Sequence, residues 1–361
     1  MKYVRLLQPV IILIAAVLLA GCANLPYYLQ SVRGQLDIWS RQHQVEAVIE
    51  NPQTAAPLRD KLRSVLAIRD FASTELDLPR NSSYRLYANL ERAYVVWNVF
   101  AAPEFSIEPR QWCFMFAGCV KYRGYFHEED AQAFAAELAA DGHDVFVGGV
   151  PAYSTLGYFP DPVLNTFVNY PTPHLARLIF HELAHQVVYV RDDSVFNESF
   201  AVAVEQEGMR RWLERYGSEQ DRAASAVMAQ RRDQFVQLIE TYRGRLDALY
   251  RSGIVAHEMR ARKAALFDQL GDDYRALKAS WGGFSGYDRW FAQKPSNALL
   301  ASVAIYTRNV PAFEALLARE GRDMNRFFTA VKALARLDKV QRSAALASLT
   351  GVAARAATAA P

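Results

Sequence analysis

His181 and His185 stand one helical turn apart with Glu182 between them, in the stretch HELAHQVVYVRDDSVFNESFAVAVE that covers residues 181–205. On a helix, positions i and i+4 share a face with their Cβ atoms about 5–6 Å apart. Two imidazoles so placed can supply two corners of a tetrahedral Zn²⁺ site, where nitrogen ligates at roughly 2.0–2.1 Å. Glu182 borders that face and is placed to take a proton from polarised water rather than to ligate. A third ligand must come from another element. Glu198, early on a second helix beyond the charged turn Arg191-Asp192-Asp193, is the candidate. Glu205, two turns further along the same face, is suited to hydrogen-bond a ligating histidine. The alternative is an amphipathic helix pair that holds no metal.

These residues need two helices joined tightly. Thr172 is read as the N-cap of the first, with Pro173 at its first position. Leu175, Leu178, Ile179, Leu183 and Val187 cover much of its remaining surface. Ser194 is read as the cap of the second helix, VFNESFAVAVEQE, with Gly208 ending it. Upstream, residues 22–92 carry helical spacing, and 93–170 are richer in β-branched and aromatic residues, as in AYVVWNVFA, KYRGYF and HDVFVGGV. Residues 171–350 are helical again, and 351–361 form an Ala-rich, frayed tail. The expected fold class is α+β and predominantly helical, one domain over 22–350 with the helix pair beside a small sheet.

With 41 Lys and Arg against 38 Asp and Glu, the net charge is +3, and no basic stripe interleaved with aromatics appears. Nucleic acid is therefore not an expected partner. Lys2 and Arg5 precede an apolar run from Val10 to Ala20, the layout of a secretory signal over residues 1–21. The run ends Leu19-Ala20-Gly21-Cys22, which resembles the lipobox of bacterial lipoproteins. That resemblance implies a lipid on Cys22, with no aspartate after it, and so an anchor on the periplasmic face of the outer membrane. Cys113 and Cys119 then remain, six apart, in a compartment where disulfides persist. A bridge with a turn at Ala117-Gly118, or two buried free thiols, are the readings.

His181-Glu182-Leu183-Ala184-His185 is the HExxH pattern of zincins, and NESFAVAVE resembles the segment that carries the glutamate ligand in aminopeptidase-N-like gluzincins. Twelve residues separate His185 from Glu198, a shorter gap than in those families. Together with WCFMFAGCVKYRGYF, PAYSTLGYF and SNALLASVAIY, these segments resemble a bacterial family of predicted zinc aminopeptidases over nearly the whole chain. The resemblance implies Zn²⁺ on His181, His185 and Glu198, and Glu182 as general base. It also implies an edge strand, here with Gly148 and Gly149, against which a peptide substrate lies. Tyr306 is its implied oxyanion donor, with Tyr153 as competitor. The glutamate that reads the substrate amine in aminopeptidase-N-like enzymes has no counterpart in GGVPAYSTLG, and Asp161 is a candidate substitute. The expected activity is a zinc-dependent aminopeptidase of the envelope. An endopeptidase, an envelope amidase or a non-catalytic lipoprotein that keeps the fold are the alternatives.

Overall fold

The computed structural model describes residues 25–114 and 118–358, the last eight in backbone only. The leader over 1–21 and Cys22 lie outside the described residues. The chain is mostly helical with small sheets. No helix among the described residues is long and apolar enough to cross a membrane.

The principal helices, in chain order, are α1 (Leu25–Ser40), α2 (Ala56–Glu75), α3 (Glu128–Ala140), α4 (Thr172–His185) and α5 (Ser194–Tyr216). They continue with α6 (Glu219–Tyr250), α7 (Ala256–Ser280), α8 (Asn297–Thr307), α9 (Val310–Arg319), α10 (Met324–Ala335) and α11 (Lys339–Thr358). The last helix carries the backbone into the segment read as a tail, and 359–361 lie outside the described residues. The central sheet has three antiparallel strands in the order β2 (Arg123–Tyr125), β1 (Val96–Pro103), β3 (His143–Val150). Three short strands, Gln42–Gln44, Leu86–Ala88 and Val163–Leu164, make a second small sheet, the first two of them inside the stretch 22–92 read as helical.

Strand alternation gives the central sheet two faces. Val99 and Ala101 of β1 pack with Ala131, Ala135 and Leu138 of α3. Phe100 points the other way, toward Ala298 and Ile305 of α8. Asn98 is on this second face, and its register partners are Gly124 on β2 and Gly148 on β3.

The main core lies under α4, whose Leu175, Ile179, Phe180 and Leu183 have no exposed surface. They meet α2 and α5, and Phe196 of α5 in turn packs edge-on to Phe313 of α9, ring centroids 5.1 Å apart. The structure corrects three details of this region. Pro171, not Thr172, occupies the N-cap of α4 and gives no side-chain cap. The cap of α5 is Asp193 rather than Ser194, because its carboxylate accepts the Phe196 N–H at 3.2 Å. Helix α5 does not stop at Gly208 but runs on to Tyr216. Gly208 is there for close approach: a Cβ on it would come within 2.5 Å of the Phe180 ring and 2.9 Å of Leu76.

Candidate metal centre and cleft

Helix α4 ends at the cleft-lining His185, with Gln186 as C-cap. The connection to α5 is short, and Asn197 explains how it closes. Its side chain accepts the Val190 N–H and donates to the Val190 carbonyl, both at 2.8 Å, so the loop is clamped to the first turn of α5. Asp192 takes a positive φ of 66° in this turn, and Lys339 donates to its carbonyl at 3.1 Å. The clamp leaves the next residue, Glu198, facing α4.

The candidate ligands converge. Ligating atoms of His181, His185 and Glu198 all lie within 4.8 Å of one another, and the three residues form a cluster able to hold a metal ion. Glu198 Oε2 is 3.2 Å from Nε2 of His181 and 3.5 Å from Nε2 of His185. Glu205 Oε2 is 3.0 Å from Nδ1 of His181, and Arg177 pairs with the other Glu205 oxygen at 3.2 Å. Nδ1 of His185 is buried without a partner.

The electrostatics suit a cation. Burial alone would raise the Glu198 carboxyl, but the charge on His185 and hydrogen bonds from both histidines hold it down at about 2. Burial opposes charge on His181, yet Glu198 and Glu205 hold its pKa well above the usual imidazole range. Burial pushes Glu182 up, against the pull of His181 and His185. Three carboxylates thus surround two imidazoles in a buried place, where charge must be balanced. A hard or borderline cation on two nitrogens and one oxygen balances it, and that donor set fits Zn²⁺.

The cluster opens into a cleft of about 540 Å³. His181, Glu182, His185 and Glu198 line one side. Tyr306 of α8 lines it as well, its ring centroid 6.2 Å from that of His181. The negative charge of Glu198, and then burial, raise the Tyr306 hydroxyl well above its ordinary range and keep it a proton donor. Tyr153 is also on the wall, but its hydroxyl donates to Gln35 of α1. Gly148 and Gly149 are not among the lining residues. The space beside Gly149 is filled by Tyr94, on the opposite face of the sheet, and β3 reaches the cleft only at Val150. Asp161 is 2 % exposed and committed elsewhere: it accepts from the Thr155 N–H at 2.9 Å and from Gln186 at 3.1 Å.

Sequence reasoning missed the rest of the wall. Tyr122, Gly124 and Phe126 line it as alternate residues of β2 and its flanks, a periodicity that was legible, and Val120 lines it from the strand before. Tyr189 lines it from the loop after α4. Asn98 lines it too, at 6 % exposure, and its side-chain amide has no hydrogen-bond partner among the described residues. Its partner on β2, Gly124, also lines the cleft and has no side chain to cover the amide: a Cβ there would come within 3.2 Å of the Asn98 Oδ1.

Cys113 and Cys119 are directly opposed in a small hairpin and form a disulfide. Gly118 takes φ 74°, and the Cys119 N–H donates to the Asp192 carboxylate, so the hairpin leans on the loop that joins the candidate ligands. Phe114 and Val120, on its two arms, face the cleft. Non-reducing peptide mapping is expected to recover the two cysteines linked. Reduction is expected to cost about 2 kcal/mol of stability, at the low end because the loop is short. Two free thiols in protein alkylated inside intact cells would refute the bridge.

A cluster able to hold a metal, beside a deep cleft with a spare carboxylate, is a site suited to hydrolytic chemistry. Residues 26–346 match the family model described as "Putative aminopeptidase", and the chain belongs to that family. No match is found among curated proteins or among solved structures.

Proposed function

We propose that the chain is a zinc-dependent peptidase with aminopeptidase activity, built on a gluzincin-like helix pair and acting in the bacterial envelope through a lipid on Cys22. The observation that carries the reading is the convergence of His181, His185 and Glu198 within 4.8 Å beside a cleft that Glu182 also lines. Zn²⁺ held by these three residues would supply Lewis acidity to an attacking water and to the scissile carbonyl. Glu182 takes the proton of that water and passes it to the leaving amine. Tyr306 donates to the oxyanion as it develops. Glu205 keeps the His181 ring oriented through Nδ1. Metal analysis with turnover on a peptide library tests the proposal. Metal-free protein, or zinc-loaded protein with no hydrolysis of any peptide, would sink it.

Asn98 is assigned to the substrate backbone, since an extended peptide in this cleft offers the amide its missing partners. Asn98→Ala is expected to lower kcat/KM about five- to tenfold, the worth of one neutral hydrogen bond of about 1 kcal/mol. The melting temperature should not fall, because no internal bond is lost. A drop in stability with unchanged kcat/KM would make Asn98 structural.

The substrate amine is the finer point. The acidic side chains lining the cleft are Glu182 and Glu198, both already engaged in the proposed chemistry. What remains to receive an ammonium is ring faces, among them Tyr28 and Tyr122. Cation–π contacts are worth about 0.5–2 kcal/mol. Acetylating the N-terminus of one peptide is therefore expected to slow its cleavage about tenfold. Equal rates would move the reading to an endopeptidase, which the shortage of acids favours.

A further inference from the structure

Helix α1 is apolar on its outer face as well as on its inner one. Its inner face packs through Gly34, where a Cβ would strike the Phe126 ring at 2.1 Å, and through Ile38, which is 1 % exposed. Its outer face carries Leu25, Leu29, Val32 and Leu36 at spacings of four, three and four, each about half exposed. Tyr28 and Trp39 flank this stripe, and Arg33 is the one charged residue among the exposed positions of the helix. The apolar surface continues across the Trp39–Phe159 ring contact, centroids 4.7 Å apart, to Tyr158, which is 80 % exposed. Nothing among the described residues covers it.

We propose that the outer face of α1, with the Tyr158-Phe159 loop, lies in the headgroup and acyl boundary of a phospholipid bilayer. What precedes the helix decides the occupant. The apolar run from Val10 to Ala20 ends two residues before Cys22, and only Ala23 and Asn24 separate Cys22 from Leu25. Whether acyl chains on Cys22 or the apolar run itself holds this segment in lipid, three residue steps span about 10 Å at most. The N-terminus of α1 is therefore tethered beside the lipid surface. A 16-residue helix is about 24 Å long, too short to span a bilayer, but its single apolar stripe suits a position in the plane of the interface. Tyr and Trp are amphipathic residues that favour that layer, and an arginine suits anionic headgroups. Because α1 also supplies Tyr27, Tyr28 and Ser31 to the cleft, the bilayer would then border the entrance to the site.

The proposal goes beyond the lipid anchor and can fail separately from it. Single cysteines at Leu29→Cys, Val32→Cys and Leu36→Cys, and a control at Arg63→Cys, are placed in the full-length protein. Each carries an environment-sensitive fluorophore and is reconstituted into phosphatidylethanolamine–phosphatidylglycerol vesicles with brominated acyl chains. Signal from the parent protein is subtracted. Labels at 29, 32 and 36 are expected to be quenched at least about twofold relative to unbrominated vesicles, and the label at 63 not at all. Protein that sediments with the vesicles while labels at 32 and 36 stay unquenched would overturn the proposal and leave the anchor intact. Protein that does not sediment would remove both. Labels unquenched by lipid but shielded in a particle of twice the chain mass would assign the face to a second copy instead.

Discussion

Glu182→Gln is expected to lower kcat about 10³-fold while the protein keeps its full complement of metal. General acid–base catalysis by one positioned side chain contributes about 10²–10⁴-fold. Glutamine preserves the shape and can still hydrogen-bond, but it cannot accept the proton of the attacking water. The metal should stay because the cluster that converges is His181, His185 and Glu198, and Glu182 is not among it. His185→Ala provides the contrast, since removing one of three ligands should lose metal and activity together. Glu205→Gln should fall between them, with metal affinity down about 10- to 100-fold, as for other partners that orient a ligating histidine. Metal content and kcat measured on the same preparations separate the three outcomes. A fully active Glu182→Gln enzyme would mean that the proton is taken by some other group.

How much of this site was legible in the chain depends on whether the geometry is local. His181 and His185 are four apart on one helix, so their shared face follows from helix periodicity alone. Glu198 needed only a short connection between two helices, and the side chain that makes it short, Asn197, sits next to it in the motif. The far wall is another matter. Asn98 is left uncovered by Gly124, which reaches it only through the register of β1 with β2. Register depends on tertiary packing, and shifting it by one residue would exchange the faces. The same alternation puts Gly149, read as a substrate contact, behind the sheet against Tyr94. Asp161 looked available because its burial and its hydrogen bonds from Thr155 and Gln186 are invisible in sequence. Helix α1 is a third case. Helical spacing gives it an apolar stripe but not the side the stripe faces, and only the placement of the domain on its other face shows that it is turned outward.

Propensity alone misplaces Gly208, and the two possible meanings of this glycine predict opposite results. A glycine that merely ends or interrupts a helix is improved by a side chain, since glycine costs about 1 kcal/mol relative to alanine within a helix. Gly244, inside α6 with nothing within 4 Å of where its Cβ would stand, is such a case. Gly244→Ala is expected to add about 0.5–1 kcal/mol. Gly208 lies at a three-way contact in which Phe180 and Leu76 have no exposed surface into which to retreat. Overpacking a filled core costs about 1–3 kcal/mol and occasionally more. Gly208→Val, which adds a β-branched side chain there, is placed at about 3 kcal/mol. At about 2–4 °C per kcal/mol for a large domain, the valine variant should melt about 6–12 °C lower and the Gly244→Ala variant slightly higher. The damage should reach the site, because Phe180 precedes His181 and Gly208 follows Glu205 by three positions on α5. Forcing α4 and α5 apart lengthens the 3.0 Å contact between His181 and Glu205, so metal affinity should fall together with stability. A Gly208→Val protein that melts like the wild type would show that the helices do not meet there, and the spacing that brings Glu205 to His181 would have to come from elsewhere.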